Sequence, residues 1–528
     1  MGKALEIGKI SATGSFYLFL GGTASTGIMA LGTIILAQVI TPEEYGLYSI
    51  ALIPSHMMVL FRDWGINTAI TKLTATRMQN RKEETYRVIR TGLIFEAISG
   101  LILTLFAIAI SNFIAAEIFK RPESSTLIAI ASTTIFTGAL LTASQSSFIG
   151  FERMELSSLT SICQATAKTI LSPTLVLIGF SSLGAVIGYT VSFLAAAIVG
   201  LVLLYVTLNK NLKIKALQKT KMQGTLNEML HYGVPFSISS IIGGFLAQFY
   251  AFIMAIYCTD AMIGNYHIAT QLATILTFFT IPISTVLFPA FSKINPKGEN
   301  SLLQTVFHSS VKYTAIFIVP VTMAIMVLSK QMISTLFGEK WAYAPVYLTL
   351  YVTNNFFVIF GDLILGNLLA GIGETKTLMK LSLITLACGV PTAYISMPSM
   401  GIIGLIIAQI TAGIPSLILG SHIVWKHYKA KVNVKENLKI FIASATAALI
   451  ASLLVNGIAS SYWIELLLGG IAFFTTYILV APIIGAIKKA DIENLKVIFS
   501  GLELLLKLIN ILLNIIERIL NAIPRKTP

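Results

Sequence analysis

Apolar stretches of roughly 20 residues, parted by short polar turns, recur along the chain, and each is long enough to cross a hydrocarbon layer about 30 Å thick. They fall at 14–40, 46–71, 88–118, 125–150, 156–179, 182–208, 230–257, 262–291, 303–328, 342–371, 377–396, 400–424, 438–458 and 462–486. Runs such as 201–205 are apolar on every side, whereas a barrel strand must alternate between its two faces. The pattern predicts an all-α integral membrane protein of about fourteen transmembrane helices, because a helix satisfies its own backbone hydrogen bonds in lipid. The first stretch, with Lys3 and Lys9 ahead of it, is too long for a signal-peptide core and reads as an uncleaved first helix.

Beyond residue 490 the pattern changes. Lys496, Ser500, Glu503, Lys507, Asn510, Asn514, Glu517 and Asn521 recur every three or four residues in a Leu/Ile background. That predicts an amphipathic helix with a narrow polar face within 491–528. It fits two placements: along the cytoplasmic membrane surface, or as a flap or self-association helix against the bundle. A further crossing would set Lys507 near the bilayer centre, at high cost.

Composition agrees: 55% of residues are hydrophobic and only 11% charged, against about 25% charged in soluble domains. The net charge of +14 invites a nucleic-acid reading, but the cations sit between apolar segments, as in the cytoplasmic loops of membrane proteins. Lys72, Arg77, Arg81, Lys82, Arg87 and Arg90 follow helix two. Lys210, Lys213, Lys215, Lys219 and Lys221 follow helix six, and Lys426, Lys429, Lys431, Lys435 and Lys439 follow helix twelve. The opposite loops carry only Lys120, Arg121, Lys330 and Lys340. Both termini of a multi-pass cell-membrane protein are therefore expected in the cytoplasm. Cys163, Cys258 and Cys388 lie in or beside apolar stretches, without metal spacing or a disulfide framework.

The chain repeats itself. Thr41 and Gly46-Leu47-Tyr48-Ser49-Ile50-Ala51 match Thr259 and Gly264-Asn265-Tyr266-His267-Ile268-Ala269 at an offset of 218. Gly150 and Gly371 echo at 221, and Gly184 and Gly401 at 217. Halves of six helices each enter the membrane from the same side, which makes a parallel repeat of the kind that builds transporters with a cavity between two bundles. The expected organisation is a six-helix bundle at 1–208, a cytoplasmic linker at 209–229, a second bundle at 230–425, two additional helices at 426–490 and the tail at 491–528.

Ionisable groups deep in a membrane are costly and mark functional sites by default. Arg62 and Asp63 fall near the middle of helix two, Glu96 in helix three and Lys168 midway along helix five. Ser157, Ser161, Gln164, Lys168 and Ser172 make a polar stripe at helical spacing, as do His267, Gln271 and Thr274 on helix eight; Asn355 and Asp362 share a face of helix ten. Arg62 and Lys168 lead, because a guanidinium binds phosphate oxygens bidentately and an ammonium adds a point charge, which suits a phosphate or diphosphate. With Gln164, Ser172, Gln271 and Asn355 they form the expected substrate-binding set of a central cavity. Asp63, Glu96 and Asp362 are the ion-coupling candidates. Plainer roles compete: Ser157 and Ser161 as a hydrogen-bond seam, Asp63 as helix glue, His267 at an interface and Lys72 as a snorkelling anchor. The sequence holds no P-loop pattern and no His/Cys set with zinc spacing, and no soluble segment is long enough for a catalytic domain, so neither an enzyme nor a cofactor is expected.

Turn signatures add a resemblance. Thr41-Pro42-Glu43-Glu44-Tyr45-Gly46-Leu47-Tyr48, Asp63-Trp64-Gly65 with Lys72, Phe337-Gly338-Glu339-Lys340-Trp341 with Ala344-Pro345, and Gly371-Ile372-Gly373-Glu374-Thr375-Lys376 occur in order over most of the first twelve helices. In these the chain resembles the polysaccharide-export, O-antigen flippase-like family of the multidrug/oligosaccharidyl-lipid/polysaccharide exporter superfamily. The resemblance implies two six-helix bundles rocking about a cationic cavity, and movement of a polyprenyl-diphosphate-linked glycan from the cytoplasmic to the outer leaflet. Of the candidate residues only Asp63 lies in a matched signature. Membrane lipids and glycan-assembly enzymes are the further expected partners. A cation-coupled multidrug exporter of the same superfamily is the main alternative, and would want carboxylates to dominate the cavity. A membrane component of a glycan polymerase or glycosyltransferase complex is second, and would want a large loop that the chain lacks.

Overall fold

A computed structural model describes residues 2–78, 81–212, 222–295, 298–458, 460–499, 513–514 and 516–521. Helix is the only regular secondary structure among them. The first part runs α1 (Gly2–Val39), α2 (Pro42–Val59), α3 (Ile66–Arg77), α4 (Lys82–Ala109), the short α5 (Ser111–Phe113), α6 (Ser125–Gly150), α7 (Met154–Leu175) and α8 (Ser181–Leu212). Then come α9 (Met222–Tyr257), α10 (Asp260–Ala273), α11 (Thr277–Ser292), α12 (Asn300–Val327), α13 (Ser329–Leu336), α14 (Ala344–Val352), α15 (Asp362–Gly371), α16 (Thr375–Tyr428), α17 (Val434–Gly457), α18 (Tyr462–Ile483) and α19 (Lys489–Phe499). Lys213, Lys215, Lys219 and Lys221, and Ser500, Glu503, Lys507 and Asn510 of the tail, lie outside the described residues.

Nine helical stretches among the described residues are long and apolar enough to cross a membrane, or ten if the pair Ala344–Phe360 and Asp362–Gly371, bent by 54°, makes one span. Two of the nine, Met154–Lys210 with 57 residues and Thr375–Tyr428 with 54, are far longer than the ~20 residues of one crossing. Each contains a glycine with left-handed backbone, Gly179 at φ 105° and Gly401 at φ 54°. Beyond Gly401 the chain doubles back: Ser396 donates to Gly404 O at 2.8 Å, and Thr385 to the Ser416 hydroxyl at 3.0 Å. These two glycines are 222 residues apart and turn the chain at equivalent places, so the partner of Gly401 is Gly179 rather than Gly184, which lies inside α8. Gly150 and Gly371 end α6 and α15 alike. Many side chains that look outward are apolar: Ile102 and Leu105 of α4, Val202 and Tyr205 of α8, and Leu449 and Leu453 of α17 are each more than half exposed.

By packing the chain forms two units, Met1–His267 with Ala393–Leu405, and Ile268–Thr392 with Ile406–Pro528. The stretch 230–267, which helix counting assigns to the second half, packs in the first unit. That unit centres on Ile66, Ile70, Ile89, Phe148, Leu204 and Met229. Its two repeat turns meet each other. Thr41 and Thr259 cap α2 and α10 in the same way, accepting from Glu44 N (3.3 Å) and Met262 N (3.4 Å). A Cβ on Gly46 would lie 1.9 Å from Asp260 O, and one on Gly264 would lie 2.1 Å from Pro42 O. The contact is reciprocal, and only glycine permits it from either side. Arg121 secures the same end by donating to Ala255 O and Cys258 O, both at 2.6 Å, and by pairing with Asp260.

The second unit builds one core around Phe291, Phe307, Ile364 and Leu368, and another where α12 meets α17, α18 and α19. Leu513 and Ile516 of the tail are buried in the latter core, and Lys496 bonds Glu517 at 2.6 Å. The described part of the tail is therefore a flap packed on this unit. A charge network lies beneath it. Lys312, 4% exposed, bonds Asp491 at 2.6 Å and faces Glu436 at 3.5 Å, and Lys488 bonds Glu436 at 2.7 Å. The Glu436 carboxylate holds the Lys488 ammonium above its ordinary pKa.

Candidate functional site

Helix two, expected as one span over 46–71, is broken. α2 ends at Val59 and α3 starts at Ile66. Between them Trp64 (φ 50°) and Gly65 (φ 78°) take left-handed backbone. Gly65 has no substitute, because a Cβ there would lie 2.1 Å from Gly233 O. The break exposes the first N–H groups of α3, and Asp63 meets them: its carbonyl accepts from Ile66 N at 2.9 Å, and its Oδ1 from Asn67 N at 2.8 Å. Non-helical backbone at membrane depth is tolerated where protein or a polar cavity surrounds it, and the positive end of a half-helix draws negative charge.

Arg62 turns from the break into the unit. Its Nη1 donates to Ile135 O at 3.3 Å and its Nη2 to the Thr142 hydroxyl at 2.9 Å. Its Nε lies 3.1 Å from Glu96 Oε2, an ion pair whose side chains are 5% and 0% exposed, without the alignment of a hydrogen bond. Asn67 Nδ2 donates to Glu96 Oε1 at 3.0 Å, while Asn67 Oδ1 is buried with no hydrogen-bond partner among the described residues. Arg62, Asp63, Asn67, Thr142, Gln145, Ser146 and Ser157, with Ser237 and Ser240 of α9, line a cavity of about 410 Å³. Gln145 crosses to α7, donating to the Thr160 and Ser161 hydroxyls at 3.0 and 3.1 Å.

Lys168 is not on that wall. Its ammonium lies 5.3 Å from the centroid of the Tyr189 ring, whose hydroxyl is 3.2 Å from His56 Nε2. Tyr48 and Phe193 pack on Tyr189. The two leading cations thus occupy different settings, Arg62 against a carboxylate and Lys168 against rings. Gln164 is half-buried on α7, and Ser172 is buried and donates to Ala185 O at 3.2 Å, a seam between α7 and α8. The remaining candidates belong to the second unit. Gln271 is exposed on α10, Asn355 donates to Val352 O at 3.0 Å, and Asp362 opens α15 just after Gly361.

Asn67, Thr142, Gln145 and Ser146 are not among the residues that membrane depth singles out in the sequence. A signal existed: Asn67 stands four residues after Asp63, and the other three are spaced i, i+3, i+4 on one helix. Lys312 carries a signal of the same kind, an ionisable group well inside an apolar stretch.

The family model described as "Polysaccharide biosynthesis protein" matches residues 35–345. The chain belongs to this family. A model described as "Lipid II flippase MurJ" matches residues 237–478. One relative is the "Probable low-salt glycan biosynthesis flippase Agl15" of Haloferax volcanii, 22% identical over 35% of this chain and 40% of that protein. Another is the "Lipopolysaccharide biosynthesis protein WzxC" of Escherichia coli, 22% identical over 60% of this chain and 62% of that protein. The chain therefore spans less than two thirds of the length of either. In fold it resembles the inward closed conformation of lipid II flippase MurJ, with a TM-score of 0.69 at 15% identity over 87% of this chain and 97% of that one. The family read from the turn signatures is thus the family the chain belongs to.

Proposed function

We propose that the protein is a flippase, carrying a lipid-diphosphate-linked oligosaccharide from the cytoplasmic to the outer leaflet by alternating access. The observation that carries this reading is the buried Arg62–Glu96 pair at the break of helix two, set on a polar cavity in a chain of the polysaccharide biosynthesis family. The names of the relatives, and the likeness of fold to a lipid II flippase, support it. In this reading the chain crosses the cell membrane about fourteen times, in two parallel six-helix bundles (1–208 and 230–425, joined by 209–229) and two further helices within 426–490, with both termini cytoplasmic.

Glu96 engages the Arg62 guanidinium at 3.1 Å. A diphosphate competes with that carboxylate for the guanidinium, and a proton taken up by Glu96 cancels its charge and frees Arg62 for phosphate oxygens. Proton and substrate then favour each other's binding, as linkage requires. Asp63 keeps the α3 terminus in place. Lys168 supplies a second cation, with Tyr48, Tyr189 and Phe193 as flat apolar faces beside it.

The test is rescue of a host deleted for its own flippase, with lipid-linked glycan counted on each leaflet. Wild type restores the outer-leaflet pool, Arg62→Ala/Lys168→Ala at normal protein levels does not, and Glu96→Gln flattens the pH dependence of transport. Rescue by the double variant removes the cation assignment and keeps the flippase. Failure of well-expressed wild type with several glycans, together with drug efflux, replaces the flippase with a multidrug exporter.

A further inference from the structure

We infer that the second unit holds a binding site for an anionic phospholipid of the surrounding membrane, in the groove beside the turn at 428–434. The groove encloses about 620 Å³. Its wall is Phe307 of α12, Phe357 and Phe360 of the segment before α15, and Ile414, Leu417 and Ile418 of α16. At one end stand His422, Trp425 and Lys431, and among the described residues no carboxylate lines it.

The cationic end is held in place by its surroundings. Gln304 clamps the backbone of Lys431 from both sides, donating Nε2 to its carbonyl at 3.0 Å and accepting its N–H at 2.6 Å. One residue on from Tyr428, whose hydroxyl donates to Glu374 at 2.8 Å, Lys429 closes α16 in left-handed backbone (φ 57°) with its N–H on Trp425 O. The Lys431 ammonium is thereby set 5.0 Å from the centroid of the Trp425 ring, and the His422 ring packs edge-on at 5.8 Å. Trp425 is 43% exposed in the last turn of its helix, where tryptophan marks the boundary between hydrocarbon and headgroups.

The chemistry follows from that level. An acyl chain covers the phenylalanine wall and a phosphate meets the ammonium, with Lys429 on the turn and Lys426 and Lys435 on the helix ends that flank it raising the local positive potential. A zwitterionic lipid gains the wall, but its own cation cancels most of the attraction. The site uses none of the residues around Arg62 and does not rest on the transport reading.

The experiment is native mass spectrometry of the full-length protein, delipidated and then given phosphatidylglycerol or phosphatidylcholine of matched chains. Wild type should retain the anionic lipid preferentially. Lys431→Glu should lower that retention at least about fivefold, the effect of one basic residue at a membrane surface, and Lys431→Arg should keep it. Trp425→Ala gives a second reading that leaves the charges alone, and should weaken both lipids. Equal retention of the two lipids by wild type overturns the inference, as does undiminished phosphatidylglycerol on Lys431→Glu. Stoichiometric displacement of the bound lipid by a polyprenyl diphosphate also overturns it, since the groove would then serve the transported lipid.

Discussion

Arg62 and Glu96 show why depth in the membrane is not enough to assign a role to a charge. Reading the sequence places both at depth, but not against each other, because they are 34 residues apart on different helices. Nor does it show Asp63 as a helix cap, which needs the break to be known. Their proximity makes single substitutions ambiguous: removing one partner leaves a buried charge unpaired, at a cost of about 3–5 kcal/mol, while replacing both with apolar residues of similar volume is often neutral. Arg62→Ala should therefore lower the melting temperature in detergent, and Arg62→Met/Glu96→Leu should restore it without restoring transport. A double variant that transports normally would show the pair to be structural.

The elements were legible where hydrophobicity defines them and hidden where backbone conformation does. The expected apolar stretches fall on helix, nine or ten of the helical stretches among the described residues being long and apolar enough to cross a membrane, yet helix two breaks inside its apolar run, since the apolar pattern continues through the left-handed turn at Trp64 and Gly65. Asp63 followed by Gly65 was a readable start signal for a new helix, obscured by the apolar residues around it. The tail was half legible: its polar face was plain, but only the burial of Leu513 and Ile516 and the Lys496–Glu517 pair distinguish a flap from a surface helix. The reciprocal glycines carry the sharpest prediction at this scale. Backbone oxygens cannot rotate away, so Gly46→Ala and Gly264→Ala should each destabilise by about 1–3 kcal/mol, seen as similar drops in melting temperature. Loss at only one of them would deny their equivalence.

For the whole molecule, composition and spacing sufficed for the class and the turn signatures for the family, whereas the packing of residues 230–267 with the first unit depends on contacts that periodicity does not encode. Orientation rests on loop charge and can be measured. With Cys163, Cys258 and Cys388 replaced by serine, Lys120→Cys should react with an impermeant thiol reagent in intact cells, and Lys82→Cys and Lys429→Cys only after lysis; the reverse pattern would invert the topology. The meeting of Gly46 with Asp260 and of Gly264 with Pro42 has a historical meaning too. It is the kind of contact a two-fold axis makes, here between positions 218 residues apart in one polypeptide. A half-length ancestor would have needed that glycine once, serving both subunits. In one polypeptide each copy has to keep its own, so this pair of turns is where the sequence repeat is most directly read.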